Sequence, residues 1–459
     1  MRPRGRVRLA ASVLAALVAA CGGGPRGAAP EPTRPHHVMV FLVDTLRADH
    51  MACYGYPRDT TPFLDDFGRR GVRFEAAASQ SSWTAPSVIS LFTGRDVAGE
   101  ALAVPEDLPA MAELFQEAGY ATAGFVLNPL IQNPENGFRR GFDAFHTTGV
   151  MRGLDAWIQD SKGRDTFTYV HLVTPHDPYG IDPRFHHFTG GPGLTPEGLG
   201  ERWELAAAEG YELTDETREY LVQQRNRYDD DVRLTDSQFG TVMTYLQGAD
   251  QLEDAIVVLC SDHGEGLWTR PSFAFSKAAQ EATTVPERFK QTHGGQLFEE
   301  LTRVPLMVWA PQLQAGRVVE ERVGNVDLMP TLLELCDLPL PPGRLSGRSL
   351  AHLLYADEPA ASAPTAMSAT RHQHALWSGR HKLLRPTAQG RAEGLETELY
   401  DLVADPGEER DLSAERPEVA ARLEAELDAR LGTSILAEDS ELELTEANQA
   451  AMRALGYTE

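Results

Sequence analysis

Short, continuous apolar runs separated by longer amphipathic stretches form the main pattern along the chain. A strand that helices cover on both faces is apolar at nearly every position, so these runs are typical of a buried parallel sheet. Strands that alternate with helices favour an α/β fold with a mostly parallel sheet and helices on both faces. The predicted strands lie at residues 38–43, 120–127, 167–173, 255–260 and 304–310.

Helices are predicted between these runs from the spacing of apolar residues and from residues that start or stop a helix. One helix has Pro62 near its start and Gly71 after its end. A second covers about 108–118 and stops at Gly119. A third covers about 228–246, where apolar side chains recur at helical spacing.

The stretch 81–94 predicts a short helix that carries a hydroxyl at its start. Pro86 fits the first helical position and Gly94 the residue past the end, so we expect Thr84 at or just before the N-cap. A hydroxyl there lies beside free N–H groups and the positive end of the helix dipole, which favour an anion. The alternative is that Thr84 only caps the helix.

Polar residues follow several predicted strands at the point where each strand ends. In open α/β sheets, ligands bind beyond the carboxyl ends of the strands. The sequence therefore predicts a site at this edge. The residues in question are Asp44, Asn128, His176, Asp262 and His263.

Three of these residues supply ligands suited to a divalent cation such as zinc or manganese: Asp44, Asp262 and His263. Taken singly, an Asp after a strand is most often a helix cap and a buried His a satisfied core residue. Their common placement beside Thr84 favours a metal site. A cation at the Thr84 oxygen would make a neutral alcohol a usable nucleophile.

Histidines His171, His176 and His293 are candidates for three roles at such a site. They could contact the oxygens of a transferring group, protonate a leaving group or hold a second ion. The alternative for each is an exposed loop histidine.

The remaining regions divide the chain into four parts. Residues 1–20, a basic start followed by a short apolar stretch, predict a lipoprotein signal peptide. Residues 21–37 predict a flexible tether, 38–358 the catalytic domain and 359–459 a C-terminal α+β subdomain. In that subdomain we expect a hairpin around 378–379, a strand at 399–402 and an amphipathic helix to Leu431. An Ala, Ser and Pro run after Pro359 predicts the linker.

The signal peptide ends in a sequence that resembles a bacterial lipobox, at residues 17–21. This resemblance implies cleavage before Cys21 and its lipidation, which would anchor the protein in the bacterial cell envelope. An ordinary secretory signal is the alternative. Two insertions, 183–226 and 267–292, predict rim or lid material at the active edge, or surface loops.

Composition and cysteine count exclude several classes of function. With 42 basic and 67 acidic residues the net charge is −25, which argues against nucleic acid or anionic lipid as a partner. Cys53, Cys260 and Cys336 have no regular spacing, so we expect small apolar residues rather than a disulfide framework or a zinc cluster.

Several segments, in chain order, resemble motifs of the sulfatase family within the alkaline phosphatase superfamily. The resemblance runs from Val38 to about Leu412, and several ordered motifs are far more specific than any one of them. The segments are 41–49, 82–87, 93–94, 176–179, 261–265, 303–306, 327–332 and 399–402.

The resemblance implies an alkaline phosphatase-like α/β core, a divalent metal (zinc, manganese or calcium) and a covalent intermediate on Thr84. By motif, Asp44, Asp262 and His263 match metal ligands, and His176 matches a substrate-anion contact. The candidate residues form three overlapping groups. They are Thr84, His176 and His293 for catalysis; His171, His176 and Asn128 for substrate binding; and Asp44, Thr84, Asp262 and His263 for the metal.

The sequence departs from the usual sulfatase pattern at the nucleophile. A typical member has Cys or Ser where Thr84 stands, oxidised to formylglycine, and Arg where Val88 stands. Thr carries a methyl group on its β-carbon and cannot yield that aldehyde. Members also usually have a second Asp in place of Thr45, and Lys or His partners near Asn128.

The Thr variant resembles lipoteichoic acid synthases and lipid A phosphoethanolamine transferases, which use an unmodified Thr and a metal for phosphoryl transfer. In the transferases two histidines five apart precede a Pro and a Tyr, as His171 and His176 do. A His-Gly pair follows later, as at 293–294. Those transferases also carry membrane-spanning helices that the sequence does not predict here, which counts against a lipid substrate.

The sequence leaves three functions to compare. We expect a metal-dependent hydrolase or transferase with Thr84 as nucleophile, acting on a small-molecule, glycan or lipid ester and favouring phosphoryl over sulfuryl groups. A true sulfuric-ester hydrolase without formylglycine is the second. A lipid-anchored, non-catalytic anion-binding protein is the third. The oligomeric state stays open.

Overall fold

The computed structural model describes five stretches of the chain: residues 35–189, 214–267, 293–355, 365–436 and 445–454. The predicted signal peptide, nearly all of the tether, most of both insertions and the predicted linker after Pro359 lie outside these residues. Among the helices of these stretches, none has both the length and the apolar character that crossing a bilayer requires.

Strands and helices alternate through the first part of the chain, as the apolar runs predict. The strands are β1 His37–Val43, β2 Val72–Ala78, β3 Val97–Ala98, β4 Ala121–Val126, β5 Ala144–His146, β6 Thr166–Leu172, β7 Ala255–Ser261, β8 Arg303–Trp309, β9 Arg317–Val319, β10 Val323–Gly324, β11 Thr365–Ala369, β12 Gln373–Ser378, β13 His381–Pro386, β14 Glu398–Asp401 and β15 Ile435–Leu436.

The helices vary from one turn to a long rod. They are α1 Pro62–Arg70, α2 Thr84–Thr93, α3 Met111–Glu117, α4 Pro129–Gln132, α5 Val150–Asp160, α6 Asp215–Gly248, α7 Glu299–Thr302, α8 Leu328–Leu335, α9 Ala351–Tyr355, α10 Ala388–Ala392, α11 Pro417–Leu431 and α12 Glu446–Ala454. Short 3-10 turns lie at Ala48–His50, Ala52–Tyr54, Pro134–Asn136, Pro183–Phe185, Leu252–Asp254 and Asn325–Asp327.

The main sheet has the strand order β10-β2-β8-β7-β1-β6-β4-β5, with β9 beside β2. Strand β1 lies at its centre, parallel to β6 on one side and β7 on the other. Strand β8 runs antiparallel to both β7 and β2. The predicted α/β fold with a mostly parallel sheet is therefore confirmed, whereas β2 and the direction of β8 were not predicted.

Helices cover both faces of the sheet, and the residues of β1 explain why. Alternate side chains of a strand point to opposite faces. Val38, Val40 and Leu42 belong to one buried cluster, whereas Met39, Phe41 and Val43 belong to another. A strand with apolar residues on both faces is stable only between two layers.

Helix α6 is longer than the apolar spacing predicts. It begins at Asp215, inside the stretch predicted as an insertion, and not near residue 228. Thr214 caps it by accepting a hydrogen bond from the Thr217 backbone N–H. Its first turns are mostly polar and charged, so hydrophobic periodicity gave no signal there.

The C-terminal region forms a separate antiparallel sheet, β11-β12-β13-β14, confirming the predicted subdomain. The predicted hairpin turns at Gly379, where φ is +59°. Helix α11 packs its leucines on one face of this sheet. The Ala369 N–H donates to Gln80 O at 2.9 Å, so the sheet abuts the loop before α2.

A buried ion-pair network joins the C-terminal sheet to the main domain. Lys382 on β13 is fully buried, and its Nζ lies 2.7 Å from Glu408 Oε1 and 3.2 Å from Glu299 Oε1. Glu299 begins α7 in the main domain and also accepts from Trp377 Nε1 at 2.7 Å. Burial alone would raise the pKa of Glu299, but the charges of Arg322 and Lys382 lower it to about 2.

Replacing Lys382 tests how much this network contributes to stability. Lys382→Met removes one cation between two buried carboxylates, so we expect the free energy of unfolding to fall by about 3–5 kcal/mol. Urea unfolding followed by circular dichroism measures this change.

The matched control is Arg385→Met on the same strand, whose guanidinium pairs with the largely exposed Asp428 at 2.7 Å. An exposed pair contributes about 0–1 kcal/mol. Equal losses in the two variants would contradict a special role for the buried network.

Candidate active site

Three adjacent parallel strands end at the same edge of the main sheet and place the polar residues together. Asp44 follows β1, Asp262 follows β7, and His171 lies near the end of β6. The register pairs Leu42 with His171 and Val43 with Ser261, so these ends are level. The structure therefore brings together side chains that are far apart in the sequence.

Asp44 is fully buried, and its two carboxylate oxygens differ. Oδ2 accepts a hydrogen bond from Asn128 Nδ2 at 2.7 Å and lies 3.4 Å from His171 Nε2. Oδ1 has no hydrogen-bond partner among the described residues and lies 3.7 Å from His263 Nε2. The protein thus fixes one oxygen and leaves the other facing the imidazole.

Asp262 shows the same division between its oxygens. Oδ1 accepts from the backbone N–H groups of Thr45 at 3.2 Å and His263 at 2.9 Å. Oδ2 makes no hydrogen bond within the described part of the chain and lies 3.5 Å from His263 Nε2. The spare oxygens of Asp44 and Asp262 therefore converge on one nitrogen.

The orientation of the His263 ring follows from its second nitrogen. Nδ1 lies 2.8 Å from Gly264 O. A carbonyl oxygen can only accept, so Nδ1 carries the proton and Nε2 directs its lone pair into the site. Such a backbone contact is the usual way to orient a metal-binding imidazole.

Thr84 lies at the beginning of α2 with its hydroxyl toward this cluster. Its Oγ1 is 3.3 Å from His263 Nε2, and the side chain is fully buried. The N-cap residue is Trp83 and the first helical residue is Thr84, so the helix begins two residues before Pro86, where the sequence predicted its start, and Thr84 is not the cap. Gly94 ends the helix with φ +64°, as predicted.

Glycine permits the close packing that holds His263 in place. The Gly264 N–H donates to Leu301 O at 2.8 Å. A Cβ at Gly264 would lie 2.0 Å from Glu300 O, so no other residue fits without a backbone shift. The loop that carries Asp262 and His263 is thereby fixed against α7.

The charges at the site favour a bound cation. Burial alone would raise the pKa of Asp44. The hydrogen bond from His171 and the nearby imidazoles nevertheless hold this pKa well below its usual range. Burial and the charge of Asp44 raise the pKa of Asp262. Burial lowers the pKa of His263, which favours its neutral form. Two buried carboxylates close together repel each other, and a cation between them would remove that repulsion.

The residues present fit a divalent cation. Ligand atoms of Asp44, His171 and Asp262 all lie within 4.8 Å of one another. The spare oxygens of the two carboxylates and the Nε2 lone pair of His263 add the donor set that zinc or manganese takes. Buried carboxylate oxygens without a hydrogen bond are rare in proteins unless a ligand fills them.

Two further histidines extend the cluster. The ring centroids of His263 and His293 lie 4.7 Å apart, and those of His293 and His176 lie 4.9 Å apart. His293 Nδ1 is 3.0 Å from Glu265 Oε1. Burial alone would lower the pKa of His176, but the charges of Asp44 and Glu265 raise it above its usual value. A charged His176 suits contact with an anion or proton donation.

The structure places Asn128 between Asp44 and the start of α4, whereas the sequence predicts that it contacts substrate. Its Nδ2 donates to Asp44, and its Oδ1 accepts from the N–H groups of Leu130 at 3.0 Å and Ile131 at 3.4 Å. Both ends of the amide are therefore engaged with the protein. The side chain caps α4 and orients the carboxylate.

The sequence predicted His171 for this site with a different contact, and it gave no role to Glu265 or Ser261. His171 was expected to contact substrate, yet its Nε2 lies beside the Asp44 carboxylate. Glu265 stood in a quoted motif without a role, and it holds His293. Ser261 Oγ accepts from the Leu46 N–H at 3.0 Å and donates to His263 O at 2.7 Å. The contacts of His171 with Asp44 and of Leu46 with Ser261 join segments that are far apart in the sequence, and only the folded structure reveals them.

Two protein-family models match most of the chain. The family model described as Sulfatase matches residues 36–338. The model described as N-sulphoglucosamine sulphohydrolase, C-terminal, matches residues 294–434. Together these matches cover the main sheet and the four-stranded C-terminal sheet.

Two curated relatives differ in the group that they act on. The ulvan-active sulfatase of Formosa agariphila is 24% identical over 450 residues, which cover 88% of this chain and 82% of that protein. The phosphatidylethanolamine transferase Mcr-1 of Escherichia coli is 25% identical over 304 residues, or 57% of this chain and 50% of that protein.

A solved structure shares the fold. The phosphonate monoester hydrolase of Agrobacterium radiobacter superposes with a TM-score of 0.68 at 18% identity, covering 90% of this chain and 98% of that one. At this identity the likeness supports the architecture of both sheets.

The position of Asn128 generates a prediction about metal binding. We expect Asn128→Ala to weaken zinc binding by about tenfold or more, because the carboxylate of Asp44 loses the donor that orients it. Titration of the metal-free protein with zinc against a chelating dye measures the affinity.

Asn133→Ala is the matched control, since Asn133 also caps a short helical turn and donates its amide, to Asn448 Oδ1 at 2.7 Å. It lies outside the cluster described above. The same loss of zinc affinity in both variants would contradict the assignment of Asn128 to Asp44.

Proposed function

The chain belongs to the sulfatase family. We propose that it transfers a phosphoryl group from an ester to Thr84 and then to water. It is an ester hydrolase of the alkaline phosphatase superfamily. The finer proposal is that phosphate or phosphonate esters are favoured over sulfate esters. The observation that carries it is the Thr84 hydroxyl, 3.3 Å from His263 Nε2 at the edge where both carboxylates meet.

The residues around Thr84 suit a divalent cation, and the family is metal-dependent. Bound by Asp44, Asp262 and His263, such an ion would lower the pKa of the Thr84 hydroxyl and stabilise charge on the transferring group. We propose zinc, manganese or calcium. The rigid setting of the proposed ligands suits a preorganised site, because Asn128 fixes Asp44, backbone N–H groups fix Asp262 and the Gly264 carbonyl fixes His263.

The histidines supply the proton transfers in the proposed reaction. In the first step the Thr84 hydroxyl loses its proton to His176 or His293, its oxygen bonds to phosphorus, and the bond to the leaving alcohol breaks as an imidazole gives the alcohol a proton. In the second step water loses a proton to an imidazole and attacks phosphorus. The bond between phosphorus and the Thr84 oxygen then breaks, that oxygen takes up the proton, and phosphate or phosphonate leaves. The raised pKa of His176 supports a charged imidazole that contacts the phosphoryl oxygens or gives the proton.

The preference for phosphoryl transfer comes from the identity of the nucleophile. A Thr cannot form the aldehyde that a typical sulfatase uses, so the hydroxyl itself must attack. Relatives named for phosphorus chemistry, the Mcr-1 transferase and the phosphonate monoester hydrolase, support this choice. The substrate class that we propose is a small-molecule, glycan or lipid ester of phosphate or phosphonate.

A second candidate is a sulfuric-ester hydrolase that uses the same Thr84. The ulvan-active sulfatase aligns over 88% of this chain, and a sulphohydrolase model matches the C-terminal region. On this alternative a glycan sulfate would be the substrate. The reaction would follow the same two steps at sulfur.

Turnover of matched aryl esters tests these alternatives. With zinc or manganese present, we expect faster hydrolysis of an aryl phosphate or phosphonate than of the aryl sulfate with the same leaving group. Thr84→Ala should lower kcat by at least about a thousandfold, because the attacking oxygen is lost.

Thr93→Ala is the matched control, since Thr93 lies on the same helix and donates its hydroxyl only to Ile89 O, at 2.7 Å. It should retain activity. Faster aryl sulfate turnover would favour the second candidate. Undiminished turnover by Thr84→Ala, or binding of anions without turnover, would contradict the covalent mechanism.

We further propose that the protein is anchored in the bacterial cell envelope through a lipid on Cys21. The support is the sequence before Cys21, which lies outside the described residues. Lipid on both the Cys21 thiol and the new N-terminus would hold an enzyme at a membrane surface without a spanning helix, because two lipid groups give stable anchoring.

Replacement of the lipidated thiol tests the anchor. In a bacterial host, Cys21→Ser should move the protein from the membrane fraction to the soluble fraction, as seen by immunoblot after ultracentrifugation. Cys53→Ser, which changes a half-buried thiol of the folded domain, should stay with the membrane. Retention of Cys21→Ser in the membrane fraction would overturn the proposal.

A further inference from the structure

Tyr228 on α6 contacts the turn that carries the first carboxylate. Its hydroxyl donates to Thr45 O at 2.7 Å and accepts from the Arg47 N–H at 3.0 Å. The side chain is fully buried. Burial raises the pKa of Tyr228 well above its usual value, so the hydroxyl keeps the proton that it donates. One atom thus closes the turn that follows Asp44.

The turn that Tyr228 holds is in an unfavourable conformation. Thr45 has φ +55°, in the left-handed region that β-branched residues avoid. Such a residue persists only where its surroundings fix it. The Thr45 N–H also donates to Asp262 Oδ1 at 3.2 Å. The strained residue therefore lies between the two carboxylates and links them.

Helix α6 holds the second ligand loop as well. Arg225, one turn before Tyr228 and also buried, donates from Nε to Leu267 O at 3.2 Å. Arg47 donates from Nη1 to Glu265 O at 2.9 Å. Both loops of the site are thus tied to the same rigid element by buried side chains.

We propose that Tyr228 is a positioning residue that sets the affinity of the site for its cation. It does so by holding Thr45 in the left-handed conformation, which directs the spare oxygens of Asp44 and Asp262 toward His263. This inference rests on the proposed metal site. It assigns a role to a residue with no ligand atom of its own in the cluster.

The test compares Tyr228→Phe with a matched tyrosine elsewhere. Tyr54 makes the same pair of contacts, since its hydroxyl donates to Phe74 O and accepts from the Leu306 N–H, each at 3.1 Å. Zinc affinity of the metal-free full-length protein is measured by dye competition, and its melting temperature by calorimetry without metal.

We expect Tyr228→Phe to weaken zinc binding by about tenfold, as removal of an outer-shell partner does. Tyr54→Phe should leave zinc affinity unchanged while lowering the melting temperature of the metal-free protein by a similar amount. Wild-type affinity in Tyr228→Phe, or equal losses in both variants, would overturn the inference alone. A wild-type protein that binds no zinc, manganese or calcium would overturn the metal site and this inference together.

A second variant tests whether Tyr228 acts through the turn. Glycine adopts the left-handed conformation without steric cost. In a Thr45→Gly background, Tyr228→Phe should therefore lower zinc affinity by less than about threefold, compared with about tenfold in the wild-type background. An undiminished loss would contradict this route. The same background keeps the comparison available if Tyr228→Phe alone does not fold, because glycine relieves the strain.

Discussion

The structure depends on the burial of two carboxylates side by side. Asp44 and Asp262 are each almost fully buried, and each has one oxygen fixed by the protein and one directed at His263. Two like charges in a low-dielectric interior repel strongly, and their pKa values move apart as a result. A divalent cation between the two carboxylates would remove that repulsion. Asn128 and the backbone N–H groups of Thr45 and His263 orient the pair.

The sheet makes this arrangement possible because it places the ends of distant segments at one level. Strand β1 lies between β6 and β7 and is parallel to both, so residues that follow all three strands meet at one edge. Helix α2 then presents Thr84 from one face, and α6 supports the loops with Tyr228 and Arg225. Rigid elements therefore carry both the proposed nucleophile and its supports, as a site built for chemistry requires.

Much of this architecture could be predicted from the sequence. Continuous apolar runs identify β1, β6 and β7 because strands buried on both faces need them. Strand β2 was missed because Val72 and Phe74 alternate with charged residues before a run of alanines. The direction of β8 could not be predicted, since the side-chain pattern of a strand does not record its direction. Motifs indicated Asp44 and Asp262, but Tyr228 contacts Thr45 across 183 positions, and no local pattern encodes such a pair.

Two of the departures from the family pattern change the charge in opposite directions. Where that pattern has a second Asp, Thr45 removes a negative charge, and where it has an Arg, Val88 removes a positive one. Val88 is fully buried in the apolar cluster behind α2, where an arginine would need a partner of opposite charge. The remaining departure is Thr84, which has a hydroxyl where the family pattern has an aldehyde. That hydroxyl lies 3.3 Å from His263 Nε2, and the chemistry proposed for the site follows from it.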